Sequence, residues 1–107
     1  MRFFEDYIQG NRKINPALLW DYSYVEADFQ KHKNLIATRT VQIGKLEDFF
    51  AAFDTFGGIE PFRDYIKNNV VDLNPKQLNF MCFAFGFKEK ETKCYKQMQL
   101  RKKHLHS

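Results

Sequence analysis

Gly44–Lys67 reads GKLEDFFAAFDTFGGIEPFRDYIK. Leu46, Phe49, Phe50, Phe53 and Phe56 repeat at helical spacing, and Ile59, Phe62, Ile66 and Val70 take up the same period again. Gly57-Gly58 between the two runs is a helix stop. Glu47 and Asp48 lie in the first turn of the first run, where the helix dipole favours acids. Pro61 is tolerated because it falls in the first turn of the second. Two amphipathic helices back to back make this chain all-α.

The pattern extends in both directions. Asn74-Pro75 is a cap followed by Pro at the first helical position. It opens a helix over 76–85 that Gly86 closes. That helix is apolar on most sides (Leu78, Phe80, Met81, Cys82, Phe83, Phe85), so it is either central in a bundle or half of an interface. Upstream, Asp28 is a good N-cap for a helix over 28–43, with Phe29, His32, Ile36, Thr40 and Ile43 on one face and Gly44 at its end. Asn15-Pro16 starts a short turn over 17–20, and Trp20 is expected to anchor it on the core. A last short helix is expected around 92–100, after which Arg101-Lys102-Lys103-His104 trails off basic. No strand pattern and no internal repeat is present.

These readings give one domain over 1–107. It is a compact bundle of four to six short helices, with 1–15 weakly structured, 16–87 the helical core and 88–107 a basic C-terminal segment. Its 107 residues suffice for a single core. With 12 Phe, five Tyr and one Trp, 17% of the chain, that core must be built mainly of rings. The 28% of charged residues and the few Gly and Pro are those of a folded protein.

The net charge of +4 is unevenly placed. Residues 88–107 carry seven of the 17 Lys and Arg and two of the 13 acids, a net +5, which leaves −1 for the rest. The body is therefore near neutral, and the pI alone would mislead. Two cysteines are too few for a disulfide framework. Cys82 reads as a small buried hydrophobe, whereas Cys94 lies among lysines, which can lower a thiol pKa. The start MRFFEDYIQG is charged with no apolar run behind it, and no stretch is long enough to span a bilayer. The expectation is a cytoplasmic protein without a signal peptide.

Motifs for chemistry are absent from the sequence. There is no Gly-x-Ser-x-Gly, no Cys with a plausible His and acid partner, no Cys-x-x-Cys and no phosphate-cradling glycine loop. The pairs Glu47-Asp48 and Glu60 with Asp64 read as dipole complements and helix-surface partners rather than as general acid and base. His104-x-His106 offers two ligands where a metal site wants three or four. The expectation is a non-enzyme with no catalytic residues, cofactor or metal.

A DNA-reading helix-turn-helix is outlined by the two helices joined at Gly57-Gly58. However, Glu60, Pro61 and Asp64 at the start of the second would face phosphates with acids. A better nucleic-acid surface is Lys31, Lys33, Arg39 and Lys45 on and after helix 28–43, together with the tail. A solvated face is the alternative reading of these cations. The other reading is a protein interface: Phe80, Phe83 and Phe87 cannot all face one core, and the cations Lys93, Lys96, Arg101, Lys102 and Lys103 follow them. Such a face suits a partner with an acidic rim, and a homodimer is compatible with it.

Several strings carry a family resemblance. They are Leu19-Trp20-Asp21-Tyr22, Gly44-Lys45-Leu46-Glu47-Asp48-Phe49, Phe56-Gly57-Gly58, Leu73-Asn74-Pro75-Lys76 through Asn79-Phe80, and Lys93-Cys94-Tyr95 with the closing His104-Leu105. Over residues 18–105 the chain resembles a family of small, uncharacterised bacterial helical proteins. Members are often encoded beside abortive-infection-type nucleotidyltransferase toxins, so the resemblance implies an antitoxin-like or accessory partner. It carries over no catalytic residue. The sequence leaves two readings: an interaction protein, with a nucleotidyltransferase toxin as the implied partner, and a nucleic-acid-binding module.

Overall fold

The helices begin and end where side chains satisfy the backbone groups that a helix leaves open. In the computed structural model, which describes residues 4–21, 25 and 28–105 (backbone alone for 102–105), the order is a 3₁₀ turn Pro16–Leu19, α1 (Lys33–Ile43), α2 (Leu46–Phe56), α3 (Ile59–Asn69), α4 (Pro75–Phe85), a 3₁₀ turn Glu89–Glu91 and α5 (Lys93–Leu105). Asn74 and Gln77 cap α4 reciprocally. The Asn74 side chain accepts from the Gln77 N–H at 2.8 Å, and the Gln77 side chain accepts from the Asn74 N–H at 3.0 Å. The Asp48 carboxylate accepts the Lys45 N–H at 2.9 Å at the start of α2. The Thr92 hydroxyl accepts the Tyr95 N–H at 3.1 Å and starts α5.

The α2–α3 corner is made by glycine geometry. Gly57 is left-handed (φ 97°), and both it and Gly58 donate to the Phe53 carbonyl, closing α2 in a Schellman arrangement. Gly58, at φ 134° and ψ 176°, occupies a region that essentially only glycine adopts. A Cβ there would find ordinary space, its nearest neighbour being Pro61 Cδ at 3.5 Å, so the penalty is backbone strain alone. Gly58→Ala is expected to cost about 1–3 kcal/mol, measured by urea unfolding. A loss below a few tenths would mean that the corner relaxes into another turn.

The core is a lattice of rings centred on Phe53, which is wholly buried. Around it stand Phe4 at 4.9 Å, Tyr7 at 5.0 Å, Phe62 at 5.3 Å and Phe85 at 6.1 Å between centroids, mostly edge to face. That is the preferred geometry for aromatic quadrupoles. Three helices, α2, α3 and α4, and the N-terminal segment thus meet at one point. The all-α, aromatic-cored bundle read from the sequence is the observed fold.

Several local expectations are corrected. Helix α1 starts at Lys33, not at Asp28. Residues 28–32 form turns, and Phe29 reaches over to Phe56, edge-on at 5.0 Å. This tertiary contact wins over a helical period with one apolar residue in its first turn. Ile43, placed on the apolar face of that helix, is more than half exposed. Trp20 is 78% exposed rather than an anchor. In a 3₁₀ turn residues three apart eclipse, so Ala17 and Trp20 share the outer side while Leu18 and Leu19 plug the core. The neighbouring Tyr22 and Ser23 lie outside the described residues.

Residues 4–15 form a turn and irregular chain without a helix, held against the core at a few points. Phe4 and Ile14 are buried, and the segment is tied to Asp54 of α2. Cys94 is also corrected: it is buried, with its thiol directed at the carbonyls of Val71 (3.4 Å) and Leu73 (3.6 Å). Burial pushes its pKa up, opposite to the effect expected from nearby lysines. Helix α5 also runs past residue 100 to Leu105, taking in the backbone of the Arg101-Lys102-Lys103-His104 stretch.

Candidate interaction surface

The three phenylalanines singled out on and after α4 do not share a face. Phe83 is 79% exposed, whereas Phe87 is 5% exposed and stacks on Phe85 with centroids 6.2 Å apart. The Arg63 guanidinium covers the Phe87 ring at 5.6 Å and donates Nε–H to the Phe85 carbonyl at 2.9 Å. Phe80 is half-buried against Phe49 at 6.1 Å. Phe83 alone of the three is on the surface. The other two complete the core because the chain turns at Gly86 and folds Phe87 back under α4.

The four cations proposed for nucleic acid are also dispersed in role. Arg39 forms a two-pronged ion pair with Asp21, one arm at 2.8 Å, and donates to the Leu18 carbonyl at 3.0 Å. This bonding holds the Asp21 carboxyl below its usual pKa. The Lys33 ammonium sits over three rings, Tyr65 at 5.0 Å, Phe56 at 5.3 Å and Phe29 at 6.0 Å. Lys31 and Lys45 are exposed. Arg39 and Lys33 therefore fasten α1 to its neighbours. Lys33→Ala is expected to cost about 1–2 kcal/mol in thermal or urea unfolding, against less than about 0.5 kcal/mol for Lys31→Ala. Equal effects would remove the ring cage as the cause.

The sequence reading also missed Asp54. Its side chain is 2% exposed and accepts from Tyr7 Oη (2.6 Å), the Gly10 N–H (2.9 Å), the Arg12 N–H (3.0 Å) and Arg12 Nη1 (3.1 Å). Burial alone would raise its pKa, but these donors more than offset that and hold it at about 2. Tyr7, half-buried and facing that carboxylate, is pushed up to about 12. A signal existed in the sequence: Asp54 falls in the last turn of a helix, where the dipole disfavours an acid, so it needs partners elsewhere.

The exposed cations of α5 border two open grooves. One, of about 480 Å³, is lined by Lys90, Tyr95, Lys96, Gln99 and Leu100. The other, of about 380 Å³, is lined by Pro75, Glu89, Tyr95, Met98, Gln99 and Arg101. Tyr95 and Gln99 belong to both. Lys93, Lys96 and Arg101 are exposed. Lys102 and Lys103 are on the same helix, with side chains outside the described residues. The Glu91 carboxylate is held by Lys67 at 3.3 Å. A third groove, of about 350 Å³, lies by Lys45, Ile43 and Ala17.

No group of His, Cys, Asp and Glu able to hold a metal is present among the described residues. Nor is any described helix long and apolar enough to cross a membrane. Residues 14–66 match a family of unknown function, DUF6922. The chain is similar to this uncharacterised family from Ile14 through Ile66, that is, from the first 3₁₀ turn through most of α3. Asp54, Arg39 and the Gly57-Gly58 corner lie within the DUF6922-like stretch; α4, α5 and the Tyr95 grooves lie outside it. No curated protein and no solved structure matches the chain.

Proposed function

We propose that this chain is a non-enzymatic cytoplasmic interaction protein that acts by covering a surface of a protein partner. The observation that carries this reading is the exposed cationic helix α5, with apolar side chains open in the grooves beside it. Cations bordering apolar grooves suit a protein interface, where aromatic and aliphatic anchors sit inside a polar rim. In its specific form, the one implied by the family resemblance, the partner is a nucleotidyltransferase toxin. The bundle occludes its nucleotide or RNA cleft, and the α5 cations meet its metal-binding carboxylates.

Affinity capture from the native cytoplasm tests this, with nuclease treatment, near-physiological salt and mass spectrometry. One stoichiometric nucleotidyltransferase in the eluate supports the specific form. Recovery of nucleic acid alone when nuclease is omitted, with affinity falling steeply as salt rises, favours a nucleic-acid-binding module instead. Phe83→Asp separates the α4 face from α5. Since Phe83 is exposed, the variant is expected to stay folded within about 0.5 kcal/mol. If it still captures the partner fully, Phe83 is outside the interface.

A further inference from the structure

We infer that the two grooves sharing Tyr95 form one docking site for an acidic, amphipathic segment of a partner protein. The inference rests on the partner-binding reading above and deepens it by naming the place and the occupant. Tyr95 and Gln99 contribute to both grooves, and Leu100 supplies aliphatic lining to one and Met98 to the other. Leu100 is 52% exposed, so apolar surface is available to a ligand. Lys90, Lys96 and Arg101 border the same two grooves. Their aliphatic stems extend the apolar floor while their charged heads stay wet. Among the described residues, nearby acids include Glu89, which lines the second groove, Glu91, whose carboxylate is engaged by Lys67, and Asp72, whose charge acts on Cys94 beside Tyr95.

This charge pattern selects the occupant. A segment carrying Leu or Phe at helical spacing would place its apolar stripe on Tyr95 and Leu100 and its carboxylates against the three cations. It can also leave a gap opposite Glu89. A polyphosphate backbone cannot choose where its charge falls, and Glu89 would repel it. Tyr95 is the sole ring among the described lining residues, too few for a run of stacked bases. A second copy of this chain is disfavoured for another reason. Across a twofold axis the same cations would face one another.

The test uses the full chain and a fluorescein-labelled helical peptide with a Leu stripe and Glu flanks, read by anisotropy and by amide NMR shifts. Control probes are the same peptide with Lys for Glu, a Glu-Gly peptide without Leu, and oligo-dT. The expected result is that only the acidic Leu peptide binds and that it shifts Lys90, Tyr95, Lys96, Gln99 and Leu100. Tyr95→Ala and Leu100→Lys should each weaken it about tenfold or more. Leu100 and Lys96 are exposed, so Leu100→Lys and Lys96→Glu keep the test alive if Tyr95→Ala unfolds. No binding, equal binding of the Glu-Gly peptide or oligo-dT, or shifts elsewhere would overturn the site. Partner capture that survives Leu100→Lys with Lys96→Glu overturns this site while leaving the partner-binding reading intact. Failure of the unaltered chain to capture any protein overturns that reading itself.

Discussion

Phe53→Ala is expected to lower the unfolding free energy by about 3–5 kcal/mol, the range for deleting a wholly buried phenylalanine. Small domains hold only about 5–15 kcal/mol in total, so the variant should be near the edge of folding. The size of the effect follows from position. Phe53 touches rings from the N-terminal segment, α3 and α4, and its removal leaves a void that four elements would have to collapse into together. Urea unfolding with an unchanged slope would give the loss as a shift of midpoint. Trp20→Ala is the internal control. Being 78% exposed, it should cost less than about 0.5 kcal/mol. Comparable losses at the two positions would contradict the described core.

Asp54→Ala is expected to cost roughly 2–4 kcal/mol, because it strands the Tyr7 hydroxyl and the Gly10 and Arg12 donors at once. Tyr7→Phe, which removes one donor and leaves the carboxylate its others, should cost about 1 kcal/mol. The same pair sets both ends of the pH profile. The folded pKa of Asp54 is depressed to about 2, so its stabilisation is present above its ordinary value of 3.8 and is lost as pH falls from there through 2. Tyr7 is raised from 10.0 to about 12, so its stabilisation is complete below 10 and is lost as pH rises through 12. Urea midpoints measured across these two windows should fall in the unaltered chain. In Asp54→Ala both slopes should flatten. A profile that keeps its acid limb in the variant would assign that limb to other carboxylates.

Helices α2, α3 and α4 were legible because each carries a local statement. The apolar period is read from neighbours in sequence, as are the acid or Asn-Pro start and the glycine stop of α2 and α4 and the Gly57-Gly58 entry to α3, whose end at Asn69 carries no glycine. Their observed bounds, Leu46–Phe56, Ile59–Asn69 and Pro75–Phe85, follow those signals closely. Helix α1 was overextended because Phe29 satisfies both a helical period and a cross-chain contact with Phe56, and only the second depends on α2 being there. The interaction surface was legible in part. The cations of α5 are visible as a charge run, but Phe80, Phe83 and Phe87 look alike in sequence and differ only in what stands opposite them. The Asp54 cluster joins residues more than 40 positions apart, which no local pattern reports.

The sequence by itself determined the class of this protein: helical, ring-cored, near neutral in its body and basic at its end. Those properties follow from period, composition and charge, which are local or additive. Only the tertiary structure decided which rings are core and which are surface, that Arg39 and Lys33 serve the fold, and that Tyr95 lines two cation-edged grooves. Each of those depends on the pairing of distant elements, and burial, the energy that chooses between otherwise equivalent phenylalanines, exists only once the elements have met.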